Sequence, residues 1–432
     1  MMKFIVKPSN LEGEATIPGS KSNTTRAVII ATLAEGRSEI LNPLPGVDCI
    51  STVEVCEKLG AKVKMEEGRW VVDGVGKDNL KSPAGILDVG NSGTTLYIAT
   101  ATAALIKEGY SVLSGDYQIC YRPSQPLIDA LNDLGATAFS TRDTGTAPIV
   151  VKGVIKGGKT HLPGINSQWL SPLLINCPLA EGDTEVTVEN LQEKPYIDLT
   201  MGWLDLQDIE YKNHDYERFV IRGGQIYKPY KTTIPADWES ATFPMVAAAI
   251  TDSEVTLYGL DTNDYQGDKE IVNILREMGA DVEVRNNGKD GITVRGGSEL
   301  TGMEIDCSDL PDAIPILSVL GCKAKGKTVL TNLGASKLKE TDRSASIKEE
   351  LSKMGARIEI EGDTMTIYQS DLQGTYLDGH DDHRIVMATS VAGLIAKGVT
   401  VIDGAEYTAI SFPNFYEVMT QLGADIERLK RA

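Results

Sequence analysis

A segment near the N-terminus combines a lysine, hydroxyl side chains and an arginine at the start of an apolar run. It reads PGSKSNTTRA from Pro18 to Ala27, and the apolar run continues to Leu33. Free backbone amides and the helix dipole attract an anion to a helix N-terminus, and the polar side chains here would add donors. The segment is therefore a candidate anion site, although the residues by themselves fit an ordinary capped surface helix equally well.

A glycine-rich loop, GNSGTT, spans Gly90 to Thr95. Because glycine lacks a side chain, its backbone can approach a bound phosphate closely. On its own, such a loop is only a weak indication of a phosphate site.

Charged side chains are concentrated in two later segments, KETDR at 339–343 and DHR at 382–384. Carboxylates and lysines can carry protons, and a guanidinium group binds a carboxylate or a phosphate through two hydrogen bonds. On the residues alone, however, the first segment is more typical of a solvated charge run, and His383 of a structural histidine.

A repeated helix end shows which elements would position these groups. The segments LGAKV, LGA, MGADV, MGARI and LGADI begin at residues 59, 134, 278, 354 and 422. Each ends an amphipathic helix, such as 271–278, at a left-handed glycine, and an alternating strand follows. One gap is twice as wide as the others, so a degenerate sixth copy is predicted at Asp205–Tyr211. Six units of about 72 residues would form two sets of three.

The length of 432 residues also favours two domains over one core. Breaks at Pro18-Gly19-Ser20 and at 233–237 predict one domain of residues 1–18 and 235–432, which holds the first strand and the last three repeats. The other domain would be residues 19–234, with the first three repeats. If the opening strand pairs with the C-terminal half, the chain crosses between the domains twice, and the crossings would form a hinge.

The composition excludes several classes of partner. A net charge of -19 and a pI near 4.8 argue against binding to nucleic acid or an anionic membrane, so any anion site must be local. The six cysteines show no CxxC pair, which favours a reduced cytoplasmic chain without disulfides or zinc. The first residues alternate apolar and polar side chains without the apolar core of a signal peptide, and the longest apolar stretch, near 96–106, is about half the length that spans a bilayer. A cytoplasmic protein is therefore expected.

The motifs, taken in order, resemble the 5-enolpyruvylshikimate-3-phosphate (EPSP) synthase family of enolpyruvyl transferases. PGSKSxxxR is similar to the family's opening signature, and the glycine loop to its GNxGT motif. The remaining motifs are Tyr121-Arg122-Pro123, Asn166-Ser167-Gln168, Lys194-Pro195-Tyr196, Leu310-Pro311-Asp312, Lys339-Glu340-Thr341-Asp342-Arg343 and Asp382-His383-Arg384. The resemblance covers essentially the whole chain. It implies an α/β fold, the two-domain inside-out α/β barrel with three βαβαββ repeats per domain, and an active site in the interdomain cleft.

The resemblance implies transfer of the enolpyruvyl group of phosphoenolpyruvate to the 5-hydroxyl of shikimate 3-phosphate, in the shikimate pathway of aromatic amino acid biosynthesis. The expected enzyme is a cytoplasmic monomer that acts on small molecules without a metal or cofactor. By motif match, Asp312 would take the hydroxyl proton, and Glu340 and Lys21 would move protons at the methylene carbon. Phosphoenolpyruvate would be bound by Lys21, Asn91, Gly93, Arg122, Gln168, Arg343 and Arg384. Shikimate 3-phosphate would be bound by Lys21, Ser22, Arg26, Ser167, Gln168, Tyr196, Asp312 and Lys339, while His383 would position Arg384.

Five positions depart from the family pattern. Ile410 replaces a lysine, Tyr97 an arginine, Asn166 and Glu193 serines, and Ala335 an asparagine. Glu193 is expected to matter most, because a carboxylate about 4 Å from a phosphate charge costs roughly 4 kcal/mol at an effective dielectric near 20. Phosphate binding would be impaired if Glu193 points into the pocket, and rescued if it turns to solvent or onto a lysine.

Three hypotheses follow. The chain is a true EPSP synthase, a paralogue that acts on an unphosphorylated or altered cyclic polyol acid, or a non-catalytic ligand-binding sensor. Retention of Lys21, Asp312 and Glu340 argues against the sensor, and the first hypothesis leads.

Overall fold

The protein, described by a computed structural model over residues 2–430, divides into two compact units. The continuous unit is Gly19–Ile234. The discontinuous unit combines the residues up to Pro18 with those from Pro235 onward.

The opening segment forms two strands, β1 (Met2–Val6) and β2 (Glu12–Thr16). The helices of the continuous unit are α1 (Lys21–Leu33), α2 (Val47–Lys58), α3 (Gly93–Ala103), α4 (Gln125–Asp133), α5 (Ser167–Asn176) and α6 (Lys194–Leu206). Its strands are β3 (Glu35–Leu41), β4 (Lys62–Glu66), β5 (Arg69–Val75), β6 (Leu87–Asp88), β7 (Ser111–Ser114), β8 (Thr137–Ser140), β9 (Ile149–Lys152), β10 (Gly158–Pro163), β11 (Thr184–Glu189), β12 (Tyr211–His214), β13 (Arg218–Ile221) and β14 (Lys231–Thr233).

The discontinuous unit continues with six further helices among the described residues. They are α7 (Trp238–Ile250), α8 (Ile271–Glu277), α9 (Ile314–Lys323), α10 (Arg343–Lys353), α11 (His383–Gly393) and α12 (Phe415–Gln421). The strands are β15 (Glu254–Tyr258), β16 (Asp281–Val284), β17 (Ile292–Arg295), β18 (Glu304–Asp306), β19 (Lys327–Thr331), β20 (Arg357–Glu361), β21 (Thr364–Tyr368), β22 (Tyr376–Leu377), β23 (Thr400–Asp403) and β24 (Ile426–Lys430).

Within residues 2–430, each unit contains three four-stranded sheets of one design. In the sheet β10-β11-β13-β12, the first two strands are parallel, and β13 pairs antiparallel with β11 and β12. The parallel pair needs a crossover, which α5 supplies, and α6 leads into the hairpin. The other orders are β6-β7-β9-β8, β14-β3-β5-β4, β18-β19-β21-β20, β16-β17-β15-β2 and β22-β23-β1-β24. The predicted βαβαββ repeats, three in each unit, are confirmed.

The opening segment corrects one detail of the prediction. A single first strand was expected before Pro18, whereas β1 and β2 belong to different sheets: β1 lies between β23 and β24, and β2 pairs in parallel with β15. Pro8 falls between the two strands, and proline has no N–H group to continue a ladder. Pairing of the opening segment with the C-terminal half is confirmed.

Alternate helices along the chain differ in burial. We call α1, α3, α5, α7, α9 and α11 the inner helices, because nearly every residue in them is buried. The remaining helices are amphipathic and bury one face. Helices that are buried all round need cover on every side, which agrees with the inside-out α/β barrel that the resemblance implies.

The inner helices start at the polar motifs. Among them, α1 begins at Lys21, α3 at Gly93, α5 at Ser167 and α11 at His383, and α9 begins two residues after Asp312. The motifs that the sequence singled out are therefore mostly N-termini of buried helices.

The amphipathic helices end as the repeated motif predicted. Gly135 and Gly279 have φ values of 98° and 103° after α4 and α8. In the degenerate copy, Asp208 takes the same place with a φ of 55°. Aspartate tolerates the left-handed region better than most residues, so this repeat keeps its turn without glycine. None of the helices within residues 2–430 has the length and apolar character needed to cross a bilayer.

Candidate active site

Lys21 is the first residue of α1 and is held by a carboxylate that the sequence did not reveal. Ser20 caps the helix by accepting a hydrogen bond from the Asn23 amide at 3.4 Å. The Nζ of Lys21 lies 3.6 Å from Oδ2 of Asp48, which is buried at the start of α2. Asp48 comes from a separate helix with no motif around it, so only the fold shows that it faces Lys21.

Arg26 lies one turn further along α1 and is buried. Its Nε donates to Thr200 Oγ1 at 2.9 Å, and Nη2 donates to Ser171 Oγ at 3.3 Å and to the Tyr196 carbonyl at 3.5 Å. Its Nη1 donates to the carbonyl of Ser22, a residue that is also buried, at 3.0 Å. Burial lowers the pKa of Arg26 to about 10, because these recorded partners are neutral oxygens.

The glycine loop holds an arginine as well as the start of α3. A side chain at Gly93 would collide with the guanidinium of Arg122, since an added Cβ would lie 2.2 Å from Nη1. Asn91 donates to Asp116 Oδ2 at 2.6 Å and also to Gln118 Oε1. Glycine at position 93 thus lets the Arg122 side chain lie against the N-terminus of α3.

The first residues of α5 connect the N-termini of two inner helices. Asn166 caps α5, because its Oδ1 accepts a hydrogen bond from the Gln168 amide at 3.0 Å. The side chain of Gln168 donates to Thr94 Oγ1 in α3 at 3.1 Å. Asn166 therefore has a local structural role that the replaced serine could also fill.

Glu193 is buried and points toward Ser167. Both the backbone amide and the hydroxyl of Ser167 donate to its Oε2, each at 2.8 Å. Glu193 has a φ of 56° and is 1% exposed. Of the orientations considered for rescue, solvent is therefore excluded, and Oε2 of the carboxylate faces Ser167.

The other departures have different surroundings. The hydroxyl of Tyr97 donates to the carbonyl of Pro123 at 2.9 Å, and the indole of Trp169 donates to the same oxygen at 3.1 Å. Ala335 and Ile410 are buried in short 3-10 helices. Neither of these apolar side chains can bind an anion.

A network of acids surrounds Arg343 at the start of α10. Its guanidinium pairs with Asp312, with Glu340 Oε2 at 2.5 Å and with Asp382 Oδ2 at 2.8 Å. Lys339 Nζ lies 3.4 Å from Oδ2 of Asp312. Burial would lower the pKa of Arg343, but the charges of Asp382, Glu340 and Asp312 raise it well above its ordinary value. Two of the predicted proton carriers therefore share one arginine.

Arg384 follows Asp382 at the start of α11. Asp382 caps this helix by accepting a hydrogen bond from the Arg384 amide at 2.8 Å. The side chain of Arg384 pairs with Glu239 at the start of α7. His383 is buried, with Nδ1 3.8 Å from Asp382 Oδ1. Asp382 and Glu239 thus contact Arg384 directly, and Glu239 lies two residues after the segment 233–237 that the sequence marked as a domain boundary.

Asp268 adds an acid that no motif marked. Burial, followed by the charges of Asp312 and Asp237, raises its pKa well above the ordinary value, while Lys339 opposes the shift. The neighbouring Gln266 accepts from the Trp238 amide at 3.0 Å and donates to a backbone carbonyl at 2.8 Å. Gln266 therefore fastens the segment of Asp268 to the N-terminus of α7.

One group among the described residues has the spacing of a metal site. Ligand atoms of Glu349, Glu350 and His380 lie within 4.8 Å of one another. However, Lys353 Nζ lies 2.7 Å from Glu350 Oε1 and 3.1 Å from Glu349 Oε1. An ammonium group already compensates these carboxylates, so we interpret the group as an ion-pair network.

The geometry brings together most of the predicted residues within each unit. In the continuous unit, cationic and neutral donors gather at inner-helix N-termini, as an anion site requires. In the discontinuous unit, acids that could carry protons are packed around buried arginines. The arrangement can bind anionic groups and exchange protons with them.

Comparison with known proteins gives one consistent result. The family model described as EPSP synthase (3-phosphoshikimate 1-carboxyvinyltransferase) matches residues 5–419. A 3-phosphoshikimate 1-carboxyvinyltransferase from Acetivibrio thermocellus is 50% identical over 426 residues, which cover 98% of this chain and 99% of the relative. One from Methanocaldococcus jannaschii is 44% identical over 430 residues, with 98% and 99% covered. The solved structure of EPSP synthase from Acinetobacter baumannii is 29% identical, with a TM-score of 0.84 and 100% of both chains covered.

Proposed function

Since the chain belongs to the EPSP synthase family, we propose that it transfers the enolpyruvyl group of phosphoenolpyruvate to the 5-hydroxyl of shikimate 3-phosphate and releases phosphate. The reaction is a step of the shikimate pathway. The observation that carries the proposal is that Asp312 and Glu340, acids with separate roles in proton transfer, both pair with the buried Arg343.

The proton transfers would follow the placement of these acids. Asp312 would take the 5-hydroxyl proton as the hydroxyl oxygen bonds to C2 of phosphoenolpyruvate, and C3 would gain a proton from Glu340 or Lys21. The resulting tetrahedral adduct would then lose phosphate from C2 and the added proton from C3. Arg343 and Lys339 next to Asp312 compensate the charge that the carboxylate carries. This is general acid and base catalysis by fixed side chains.

The remaining residues would hold the two anionic substrates. We assign Asn91, Gly93, Arg122, Gln168, Arg343 and Arg384, with Lys21, to phosphoenolpyruvate. We assign Ser22, Arg26, Ser167, Tyr196 and Lys339, with Lys21, Gln168 and Asp312, to shikimate 3-phosphate. The assignments are supported by the positions of most of these side chains near inner-helix N-termini or around Arg343. Tyr196 lies at the start of α6 instead, where its carbonyl accepts a hydrogen bond from Arg26.

Glu193 supports a second candidate acceptor. Its carboxylate accepts both hydrogen bonds that Ser167 would offer to a phosphate. An acceptor without a phosphate group, such as another cyclic polyol acid, would not compete with Glu193 for Ser167. With shikimate 3-phosphate, the carboxylate must leave Ser167 before the phosphate can bind there.

We further propose that the two compact units are the two domains of the enzyme, with residues 1–18 and 235–432 in one and 19–234 in the other. We propose a cytoplasmic monomer as well. The cytoplasmic assignment is supported by the six cysteines, which form no disulfide among the described residues and of which five are buried. Burial raises the pKa of Cys56 and of Cys177 to about 12, so these thiols are poor nucleophiles.

The proposal is tested by phosphate release from purified protein mixed with shikimate 3-phosphate and phosphoenolpyruvate. We expect turnover within about a hundredfold of an ordinary family enzyme, which corresponds to two steps of about 1.4 kcal/mol in the activation free energy, each of them tenfold in rate. Asp312→Asn should lower kcat by about 10²–10⁴, because it removes the base. Shikimate and quinate are measured in parallel. No release from any acceptor would contradict the proposal, and release from shikimate alone would favour the second candidate.

Glu193→Ser measures how far Glu193 limits the acceptor. We expect KM for shikimate 3-phosphate to fall by about tenfold or more, because a buried charge that repels the phosphate is removed and tenfold corresponds to only 1.4 kcal/mol. Glu189→Ser is the matched control, since the side chain of Glu189 is 75% exposed. An unchanged KM would show that Glu193 leaves Ser167 at little cost.

A further inference from the structure

The loop that precedes α11 is bound to α10 at both of its ends. At the start of the loop, Glu350 accepts a hydrogen bond from the Asp378 amide at 3.0 Å and lies 2.6 Å from Nε2 of His380. At its end, Asp382 accepts from Arg343 Nε at 2.8 Å. Arg343 and Glu350 are seven residues apart, which places them on one face of the helix.

The contact between α10 and the start of the loop is a buried ion-pair network. The side chain of Glu350 is fully buried, and its two oxygens are both bonded: Oε1 to His380 and to Lys353 Nζ at 2.7 Å, Oε2 to the Asp378 amide. The partners are less buried, at 22% exposed for His380 and 40% for Lys353. When His380 loses its proton, Glu350 keeps the Lys353 ammonium on its own helix but loses the charged partner in the loop, so the contact between α10 and the loop weakens.

The loop has a backbone that must be held in place. His380 and Asp381 have φ values of 51° and 52°, so two consecutive residues other than glycine are left-handed. This conformation is unfavourable for residues other than glycine. The His380 amide also donates to Asp378 Oδ1 at 2.8 Å, and the Asp382 amide to the Gly379 carbonyl at 2.9 Å. The contacts with Glu350 offset part of the strain.

The loop carries groups that belong to the proposed reaction. Asp382 binds Arg343 through Nε and Nη2 and caps the helix through the Arg384 amide. A shift of the loop would therefore displace both arginines together. Displacements of about 1 Å can cost on the order of a hundredfold in rate when charged groups must be aligned.

We propose that Glu350 and protonated His380 are positioning residues for enolpyruvyl transfer, which hold Asp382 and thereby Arg343 and Arg384 in place for phosphoenolpyruvate. The inference rests on the proposed function for the identity of the substrate. It does not depend on that function for the pairing itself, which is a property of the ligand-free protein.

The pairing has a pH dependence of known sign. The hydrogen bond to Glu350 raises the pKa of His380, burial opposes the shift, and the charges of Glu350, Asp378 and Glu349 add to it. Lys353 faces the same carboxylate from α10. Burial would raise the pKa of Glu350, but the bonds from His380, Lys353 and the Asp378 amide lower it overall. The ion pair is therefore fully formed below about pH 6.5 and is lost as pH rises through the raised pKa of His380.

The test compares His380→Gln, Glu350→Gln and His161→Gln with the unchanged protein. His161 is the matched control, because it is 52% exposed and lies 3.8 Å from Glu189 in the other unit. Below the pKa of His380, we expect His380→Gln to lower kcat/KM for phosphoenolpyruvate about tenfold, mostly through KM. As pH rises through the pKa of His380, kcat/KM of the unchanged protein should fall toward that of His380→Gln, so the ratio of the two kcat/KM values approaches one. His161→Gln should show the same fall as the unchanged protein.

A second measurement is independent of turnover and of the fate of Glu350→Gln. Titration of the imidazole protons of the ligand-free protein by NMR should show a His380 pKa above 6.5, falling toward 6.5 in Glu350→Gln if that variant folds. A normal or lowered pKa in the unchanged protein would overturn the pairing. Wild-type KM, kcat and pH profile in His380→Gln would overturn the positioning role. If the unchanged protein releases no phosphate, the proposed function fails, while the NMR titration still decides the pairing.

Discussion

The two units each contain a buried arginine with proposed roles in substrate binding, and they stabilise it in opposite ways. Arg26 in the continuous unit is 3% exposed and has hydroxyl and carbonyl oxygens as its recorded partners. Arg343 in the discontinuous unit is 1% exposed and pairs with three carboxylates. Accordingly, the pKa of Arg26 is lowered to about 10, and that of Arg343 is raised.

The difference indicates two functions for the same side chain. A buried guanidinium with neutral partners keeps its charge uncompensated, so an incoming anion gains a strong partner. The three carboxylates around Arg343 outweigh its single positive charge, so Arg343 would orient these acids in addition to binding phosphoenolpyruvate. We infer that the continuous unit contributes chiefly anion binding and the discontinuous unit chiefly proton transfer.

The largest expected effect is on stability and separates the two arginines. Arg343→Met leaves the buried Asp382 and two partly buried acids without their shared cation, so we expect a loss of about 3–5 kcal/mol in the free energy of unfolding. Arg26→Met removes hydrogen bonds to neutral groups and should cost only about 1–3 kcal/mol. Urea unfolding at neutral pH measures both. Expressed as free energies, the loss of shikimate 3-phosphate binding in Arg26→Met, measured by its KM, should nevertheless exceed the loss of stability.

The control for these variants is Arg357→Met, because Arg357 is 67% exposed and pairs with Glu359 on the surface of the same unit. Its loss should be under about 1 kcal/mol. Losses of equal size for Arg26→Met and Arg343→Met would contradict the comparison, since burial alone would then determine both values.

The repeats and their helix boundaries were predictable from the sequence, and the reason is local. Short motifs such as Gly90–Thr95 and 339–343 encode helix starts, and the left-handed glycines encode helix ends, so the six repeats followed from nearby residues. The inside-out barrel itself was implied by the resemblance to the family. Partners that meet only in the folded chain were missed. Asp48 and Glu239 are the clearest cases, because they bind Lys21 and Arg384 from separate helices.

Side-chain direction was the second limit. The sequence identified Glu193 as a departure, but whether its carboxylate faced solvent, a lysine or Ser167 depends on a left-handed backbone at position 193. Aspartate and asparagine visit that region more readily than glutamate, so its residue type predicted nothing of the kind. Asp268 was missed for a related reason, since its effect comes from burial beside Asp312 and Asp237.

An effect of intermediate size is expected from Asp268→Asn, which tests whether buried carboxylates of the discontinuous unit lower its stability. Asp268→Asn removes a carboxylate whose pKa is raised by burial and by Asp312 and Asp237. An acid whose pKa is higher in the folded protein than in the unfolded chain lowers stability once pH exceeds the unfolded pKa, which is about 3.9 for aspartate. Asp268→Asn should therefore be more stable than the unchanged protein at neutral pH and lose this gain as pH falls to about 4. Each kcal/mol gained should raise Tm by roughly 2–4 °C.

Asp378→Asn is not a suitable comparison for Asp268→Asn, because Asp378 belongs to the loop held by Glu350. Asp371→Asn serves instead, since Asp371 is 87% exposed and pairs with Lys397 at the surface. Its Tm should change little at any pH. A lower Tm for Asp268→Asn at neutral pH would mean that the negative charge is needed by Lys339 or by neighbouring amides.

The smallest expected effect tests the neutral bonding of the continuous unit. Tyr97→Phe removes one of two hydrogen bonds to the Pro123 carbonyl, and the Trp169 indole keeps the other. Because the acceptor remains bonded, we expect a loss of only about 0.5–1.5 kcal/mol in the free energy of unfolding. KM for phosphoenolpyruvate should rise no more than a few fold, since Pro123 follows Arg122 in the chain. Tyr211→Phe, which removes an exposed hydroxyl bonded to Asp205 at 2.9 Å, is the control. A hundredfold rise in KM for phosphoenolpyruvate in Tyr97→Phe, with an unchanged free energy of unfolding, would mean that the hydroxyl contacts the substrate itself. Position 97, which is an arginine in the family, would then still bind the substrate, but through a neutral donor.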